Sequence, residues 1–204
     1  FSLEVEELAV REGEVLAIIG PNGAGKTTLL NAMAMLNSPA AGSLSIMGRD
    51  ALAPANRLFL RRAMSVVFSQ PYLTNDTVFD NVALPLRLRG LRDGLAAEEA
   101  LELFRITHLR DRNAKTLSQG ESHRAALARA FVTRPRLLLL DEPFAALDER
   151  VKEEITRDLR RVVKASGAAV VLVTQDQEGA LTLCDTLGVL IGGRLLQTGA
   201  PQDV

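Results

Sequence analysis

The residues best equipped for chemistry lie in one run, Gly20-Pro21-Asn22-Gly23-Ala24-Gly25-Lys26-Thr27-Thr28. The run matches G-x-x-x-x-G-K-[ST], and its neighbours give the match meaning. Val15-Leu16-Ala17-Ile18-Ile19 precedes it and reads as a short buried strand, while Leu29 to Leu36 follows and reads as a helix. Glycines let the backbone curl until successive N–H groups point into one concavity, and the helix start adds the positive end of its dipole. Such a loop cradles phosphate. Lys26 is placed to reach the β- and γ-phosphates of a nucleotide, and Thr27 Oγ to coordinate Mg²⁺. The plain alternative is a glycine-rich turn with a surface lysine, but the full pattern arises by chance in well under ~1% of chains this long.

A second group of reactive residues closes the run Leu137-Leu138-Leu139-Leu140-Asp141-Glu142. It sets two carboxylates at the carboxyl end of an apolar strand, where open α/β sheets bind ligands. Beside a phosphate loop, Asp141 is the natural magnesium anchor, acting through water. Glu142 then sits by the γ-phosphate, where it can orient or deprotonate the attacking water. Alone, the pair would read as the N-terminal cap of the next helix.

These groups need a frame to hold them. The chain has 204 residues, 47% hydrophobic and 24% charged, enough for one globular domain with a real core. With 24 Lys+Arg against 25 Asp+Glu it carries no basic surplus that would favour nucleic acid. Its one cysteine, Cys184, excludes an internal disulfide and fits a reducing compartment. The two histidines, His108 and His123, stand apart from other metal-ligand types, which argues against a zinc site. No apolar run approaches ~18 residues and no signal peptide is evident, so a cytoplasmic location is expected.

Residues 1–16 alternate roughly apolar and polar around a turn at Arg11 to Glu14, which predicts antiparallel strand material. Ser43–Met47 and Met64–Phe68 read as strands, and residues 50–62 carry no clear pattern. From 72 to 133 the chain turns helical. Thr77 is an N-cap for a helix to Arg89 that Pro85 should kink or break, and Ala96–Arg105 is a strong helix former. Ser118-Gln119-Gly120-Glu121 is a capping box opening a third helix. Beyond Arg134 strands and helices alternate again: strand Leu137–Leu140, amphipathic helix Glu149–Ala165 stopped at Gly167, strand Ala168–Thr174, helix Glu178–Cys184. A hairpin follows about Gly192-Gly193. Continuous apolar strands between helices predict a parallel sheet covered on both faces. One α/β domain is expected, its core formed by residues 1–71 and 134–204, with 72–133 as a helical insertion.

In this order the motifs resemble the ATP-binding subunit of ABC transporters, over nearly the whole chain. Leu117-Ser118-Gln119-Gly120-Glu121 is similar to the family's signature sequence, followed by Arg124 and Ala128-Arg129-Ala130. Gln70 matches the Q-loop glutamine, Asp141-Glu142 the Walker B pair, and Ala146-Leu147-Asp148 the D-loop. The resemblance implies a P-loop NTPase core with a parallel sheet, an antiparallel β edge subdomain and an inserted helical subdomain. It implies ATP and Mg²⁺ as cofactors. Asn22, Gly23, Gly25, Lys26, Thr27 and Thr28 would hold the nucleotide, and Thr27, Gln70 and Asp141 the metal. Ser118 and Gly120 would read the γ-phosphate on a second, identical subunit packed head to tail, with Asp148 bridging the two near Glu142. As an isolated residue Asp148 is equally an N-cap for the helix at Glu149.

The resemblance further implies transmembrane permease subunits, contacted through residues 72–116 and especially Asp80–Leu86. It also implies a substrate-binding protein, and a station on the inner face of the cell membrane. Within the family the chain looks most like importers of small anions or metal oxyanions, tungstate and molybdate among them. Two departures stand out. The family expects a histidine after Val170-Val171-Leu172-Val173-Thr174, where this chain has Gln175; a glutamine amide donates one hydrogen bond but cannot carry positive charge or shuttle a proton. Slow hydrolysis is the expected result. The family also stacks adenine on an aromatic before the loop. Phe1 is the only aromatic there and is not assigned that role. The chain ends soon after Gly199-Ala200-Pro201, which leaves no appended regulatory domain to expect within it. Two other classes share parts of this pattern: a soluble ABC-type ATPase acting on nucleic acid or ribosomes, and a small-molecule P-loop kinase. One cassette, no coiled coil and no basic surplus weigh against the first, and the signature-like helix against the second.

Overall fold

The computed structural model describes residues 2–145 and 147–204. Phe1 and Ala146, the latter part of the D-loop match, lie outside the described residues.

A six-stranded sheet forms the frame. Its strands are β1 (Val15–Ile19), β4 (Met64–Val67), β5 (Leu137–Asp141), β6 (Ala169–Thr174), β7 (Thr186–Ile191) and β8 (Arg194–Gly199), in spatial order β4-β5-β6-β1-β7-β8. The first five run parallel, and β8 returns antiparallel across the Gly192-Gly193 turn. A separate two-stranded hairpin pairs β2 (Ser45–Ile46) with β3 (Arg49–Asp50). The central strands are apolar up to their carboxyl ends because both faces are covered. Leu138 and Leu140 of β5 face one core while Leu137 and Leu139 face the other, as the two-residue period of a strand requires.

The helices divide between those cores. One holds α1 (Lys26–Met33) and α2 (Pro54–Ala63). The other holds α3 (Val78–Leu88), α4 (Gly94–Leu103), α5 (Gln119–Phe131), α6 (Glu149–Ser166) and α7 (Gln177–Leu183). Among the described residues no helix is long and apolar enough to cross a membrane.

Three local expectations change. Residues 2–14 form no strand beyond a single parallel bridge, Glu4 to Arg194. Leu3, Val5, Leu8 and Val10 still pack against the second core, so the alternation records side-chain burial rather than a hydrogen-bonded ladder. The unpatterned stretch 50–62 holds most of α2, opened by Pro54 in its first turn. Pro85 does not end α3. The helix runs on to Leu88, because Val82, Ala83 and Leu86 are buried against its neighbours and only one internal bond is lost near its end.

The segment ahead of α3 is pinned by a fully buried amide. Asn81 Oδ1 accepts from Thr74 N (2.7 Å) and Thr74 Oγ1 (3.0 Å), while Nδ2 donates to Thr74 O (3.2 Å) and Thr77 O (2.9 Å). Thr77 caps α3 by accepting from Asp80 N at 3.0 Å. Arg129 near the end of α5 donates to Tyr72 O at 2.7 Å, which ties α5 to the chain just beyond Gln70.

Candidate active site

Four parallel strands end at one edge of the sheet, and each delivers one piece of the site there. The glycine loop follows β1, Gln70 lies three residues past β4, Asp141 closes β5 with Glu142 next to it, and Gln175 follows β6. The register fixes their heights. Asp141 lies beside Val173, so Glu142 comes level with Thr174.

The loop's shape depends on its glycines. A Cβ on Gly20 would stand 2.1 Å from Leu190 O, so the strand can turn toward β7 only without a side chain. Gly25 sits at φ 105, a left-handed conformation that costs other residues dearly, and it serves as N-cap of α1. No side chain caps α1 and its first turn carries no acid. Its leading N–H groups therefore face the concavity as donors for an anion.

Lys26 is buried, yet its ammonium is well partnered. It donates to Gly20 O (2.8 Å) and Pro21 O (3.2 Å) and lies 3.4 Å from Glu142 Oε1. Thr27 Oγ1 lies 3.1 and 3.2 Å from the two carboxylate oxygens of Asp141. Burial pushes the Asp141 carboxyl above the usual carboxylate range, the Thr27 hydrogen bond opposes that, and the neighbouring charge of Glu142 adds to it. A hydroxyl and a buried carboxylate side by side are hard oxygen donors of the kind Mg²⁺ takes. The donor set fits the metal.

Glu142 is held in an unusual way. Its backbone is left-handed at φ 46, and its N–H donates to Val173 O at 2.8 Å. Its Oε2 accepts from Thr174 Oγ1 (2.8 Å) and from the backbone N of Gln175 (3.1 Å). Left-handed backbone at a non-glycine residue is strained and gathers at functional sites.

The structure thus pairs Lys26 with Glu142 and Thr27 with Asp141 at the same sheet edge. Gln70 and Gln175 stand at the same sheet edge with exposed side chains. Ser118, Gly120 and Asp148 are not joined to this cluster by any hydrogen bond or ion pair among the described residues. Ser118 opens α5 as a full capping box: its N donates to Glu121 Oε2 at 2.7 Å and its Oγ accepts from Glu121 N. Gly120 is backed by Val151 of α6, whose Cγ1 would lie 2.8 Å from an added Cβ. Asp148 caps α6 by accepting from Val151 N at 3.0 Å. Thr174 joins the candidate residues only in the fold, through its bond to Glu142. Its signal was a hydroxyl closing an otherwise apolar strand.

The family model described as "ABC transporter" matches residues 3–145. The sulfate/thiosulfate import ATP-binding protein CysA of Bradyrhizobium diazoefficiens is 42% identical over 211 residues, covering 100% of this chain and 60% of its own length. The molybdate/tungstate import ATP-binding protein WtpC of Pyrococcus horikoshii is 41% identical over 209 residues, covering 100% of this chain and 59% of its own. This chain therefore spans about three fifths of the length of the curated relatives it matches. Among solved structures, the dimeric post-hydrolysis state of the ATP-binding cassette MJ0796 bound to ADP and Pi superposes with a TM-score of 0.85 at 30% identity. It covers 95% of this chain and 88% of that one.

Proposed function

We propose, for a chain that belongs to the ABC transporter family, that the cluster around Lys26 binds Mg-ATP and hydrolyses it to drive import. The convergence of Lys26, Thr27, Asp141 and Glu142 at the carboxyl edge of the sheet carries this reading. The N–H groups of the 22–28 loop and the uncapped start of α1 cradle the phosphates. Lys26 exchanges its bonds to Gly20 O and Pro21 O for phosphate oxygens. Thr27 and Asp141, with Gln70 from beyond the end of β4, would hold Mg²⁺, which would supply charge neutralisation for the phosphates. Glu142 takes a proton from the water that attacks the γ-phosphorus as the bond to the bridging oxygen breaks.

Among the described residues Ser118 and Gly120 make no hydrogen bond to the loop of their own chain, in keeping with a role across a head-to-tail dimer. There the start of α5 meets the γ-phosphate held by the partner, and Asp148 adds a bridge beside its capping bond. Residues 1–71 and 134–204 act as the catalytic core and 72–133 as the helical arm. That arm docks on the permease. Leu88, Leu91 and Leu95 are exposed beside a groove lined by Phe79, Ala83 and Leu86. The protein then works on the inner face of the membrane, with permease subunits and a substrate-binding protein as partners. Relatives are named for sulfate/thiosulfate, molybdate/tungstate and spermidine/putrescine import, and the first two of these accord with an oxyanion as cargo. Selection of that cargo belongs to the other subunits. Co-purification with a membrane protein rather than with nucleic acid or ribosomes separates this reading from a soluble ATPase.

Gln175 slows the reaction. Its backbone N–H holds Glu142, but its side chain offers no positive charge where the family carries an imidazole. Steady-state Mg-ATP hydrolysis by the chain and by Gln175→His, with nucleotide binding checked in both, tests this. The expected gain is about tenfold or more, ~1.4 kcal/mol in barrier. Equal rates would remove Gln175 from the γ-phosphate.

A further inference from the structure

We propose that Thr174 is a positioning residue for Glu142, an inference that rests on the reading of Glu142 as the base. The Thr174 side chain is the only one among the described residues that donates a hydrogen bond to the Glu142 carboxylate. Thr174 is almost wholly buried at the end of β6. Its Oγ1 accepts from Asp176 N at 3.0 Å, and this bond leaves the hydroxyl proton directed at Glu142 Oε2, 2.8 Å away. Asp176 in turn caps α7 by accepting from Gly179 N, so the hydroxyl is fixed by a helix start behind it.

The second donor to Oε2, the backbone N of Gln175, is present whatever side chain occupies position 175. The two sources of order at the base are therefore separate. Thr174 aims the carboxylate from behind, and residue 175 acts in front of it. With Oε2 engaged twice, Oε1 is the oxygen left to take a proton from water, and it faces Lys26 at 3.4 Å. This anchoring keeps Glu142 aimed in a chain that lacks the usual imidazole. A group that fixes another acts on turnover, since a misplaced base loses rate without losing substrate.

The test compares Thr174→Val and Thr174→Ser in the full chain. Valine keeps the shape and removes the donor. It should lower kcat for Mg-ATP by roughly ten- to a hundredfold with KM and ATP affinity held within roughly twofold. Serine keeps the hydroxyl and should restore kcat to within roughly threefold. Should the valine variant not fold, Thr174→Ala is read in the same way. In a Glu142→Gln background Thr174→Val should cost nothing further, because both act at one step. A fall with Thr174→Val that is as large in that background, or that serine does not rescue, overturns the proposal. If Glu142→Gln itself leaves turnover intact, the base reading fails. If Glu142→Gln is crippling and Thr174→Val is harmless, only the role of Thr174 falls.

Discussion

Glu142→Gln should lower Mg-ATP turnover by about 10²- to 10⁴-fold, the span expected when a positioned general base is removed. Glutamine keeps the length and the left-handed backbone placement, and its amide oxygen can still accept from Thr174 Oγ1 and Gln175 N. What it lacks is a site for the proton of the attacking water. It also loses the charge facing Lys26, 3.4 Å away. That loss should not weaken nucleotide binding, because Lys26 would then face the phosphates with one competing anion fewer. The check is single-turnover hydrolysis beside equilibrium binding of a fluorescent ATP analogue. Retained turnover would place the base elsewhere.

The second large effect is on stability. Asp158 of α6 is buried and is met by three arginines: Arg124 Nη1 at 2.6 Å, and Arg105 and Arg161 at 3.4 Å each. Arg124 also reaches Glu154 at 3.2 Å and donates to Phe104 O at 3.2 Å, so one guanidinium ties α5 to α6 and to the end of α4. Arg124→Ala strips the closest counter-charge from a buried carboxylate. Removing one partner of such a pair costs about 3–5 kcal/mol. Arg105 and Arg161 remain but are more than half exposed, which sets the expectation near the lower bound, about 3 kcal/mol. For a chain of this size that lowers Tm by about 6–12 °C. Thermal unfolding followed by circular dichroism measures it. A shift below about 2 °C would mean that water reaches Asp158.

What the sequence made legible and what it concealed divide along a physical line. The phosphate loop, the Asp141-Glu142 pair and the α5 capping box are short contiguous runs. Each acts through the turn or helix start it creates, so spacing alone reveals it. The parallel sheet was equally readable, because strands buried on both faces must be apolar at every position. Contacts between distant residues were not readable. Thr174 meets Glu142 across 32 positions and Arg124 meets Asp158 across 34, and only the strand register and helix packing bring them together. Helix α2 is hard to read from sequence because it buries only Leu60, leaving almost no apolar face. The N-terminal alternation misled for the opposite reason. Leu3, Val5, Leu8 and Val10 bury their side chains without joining the sheet's ladder.

The central claim is that two copies of this chain close on ATP, one supplying the loop at Lys26 and the other the start of α5 at Ser118. The mass in solution of the Glu142→Gln chain, with and without Mg-ATP, tests it most directly, since blocked hydrolysis preserves the closed state. The account predicts the 22.1 kDa of a single chain without nucleotide and twice that mass with it. Adding Ser118→Arg should return the ATP-loaded protein to one chain. A Glu142→Gln chain that binds Mg-ATP and still weighs 22.1 kDa would contradict the account.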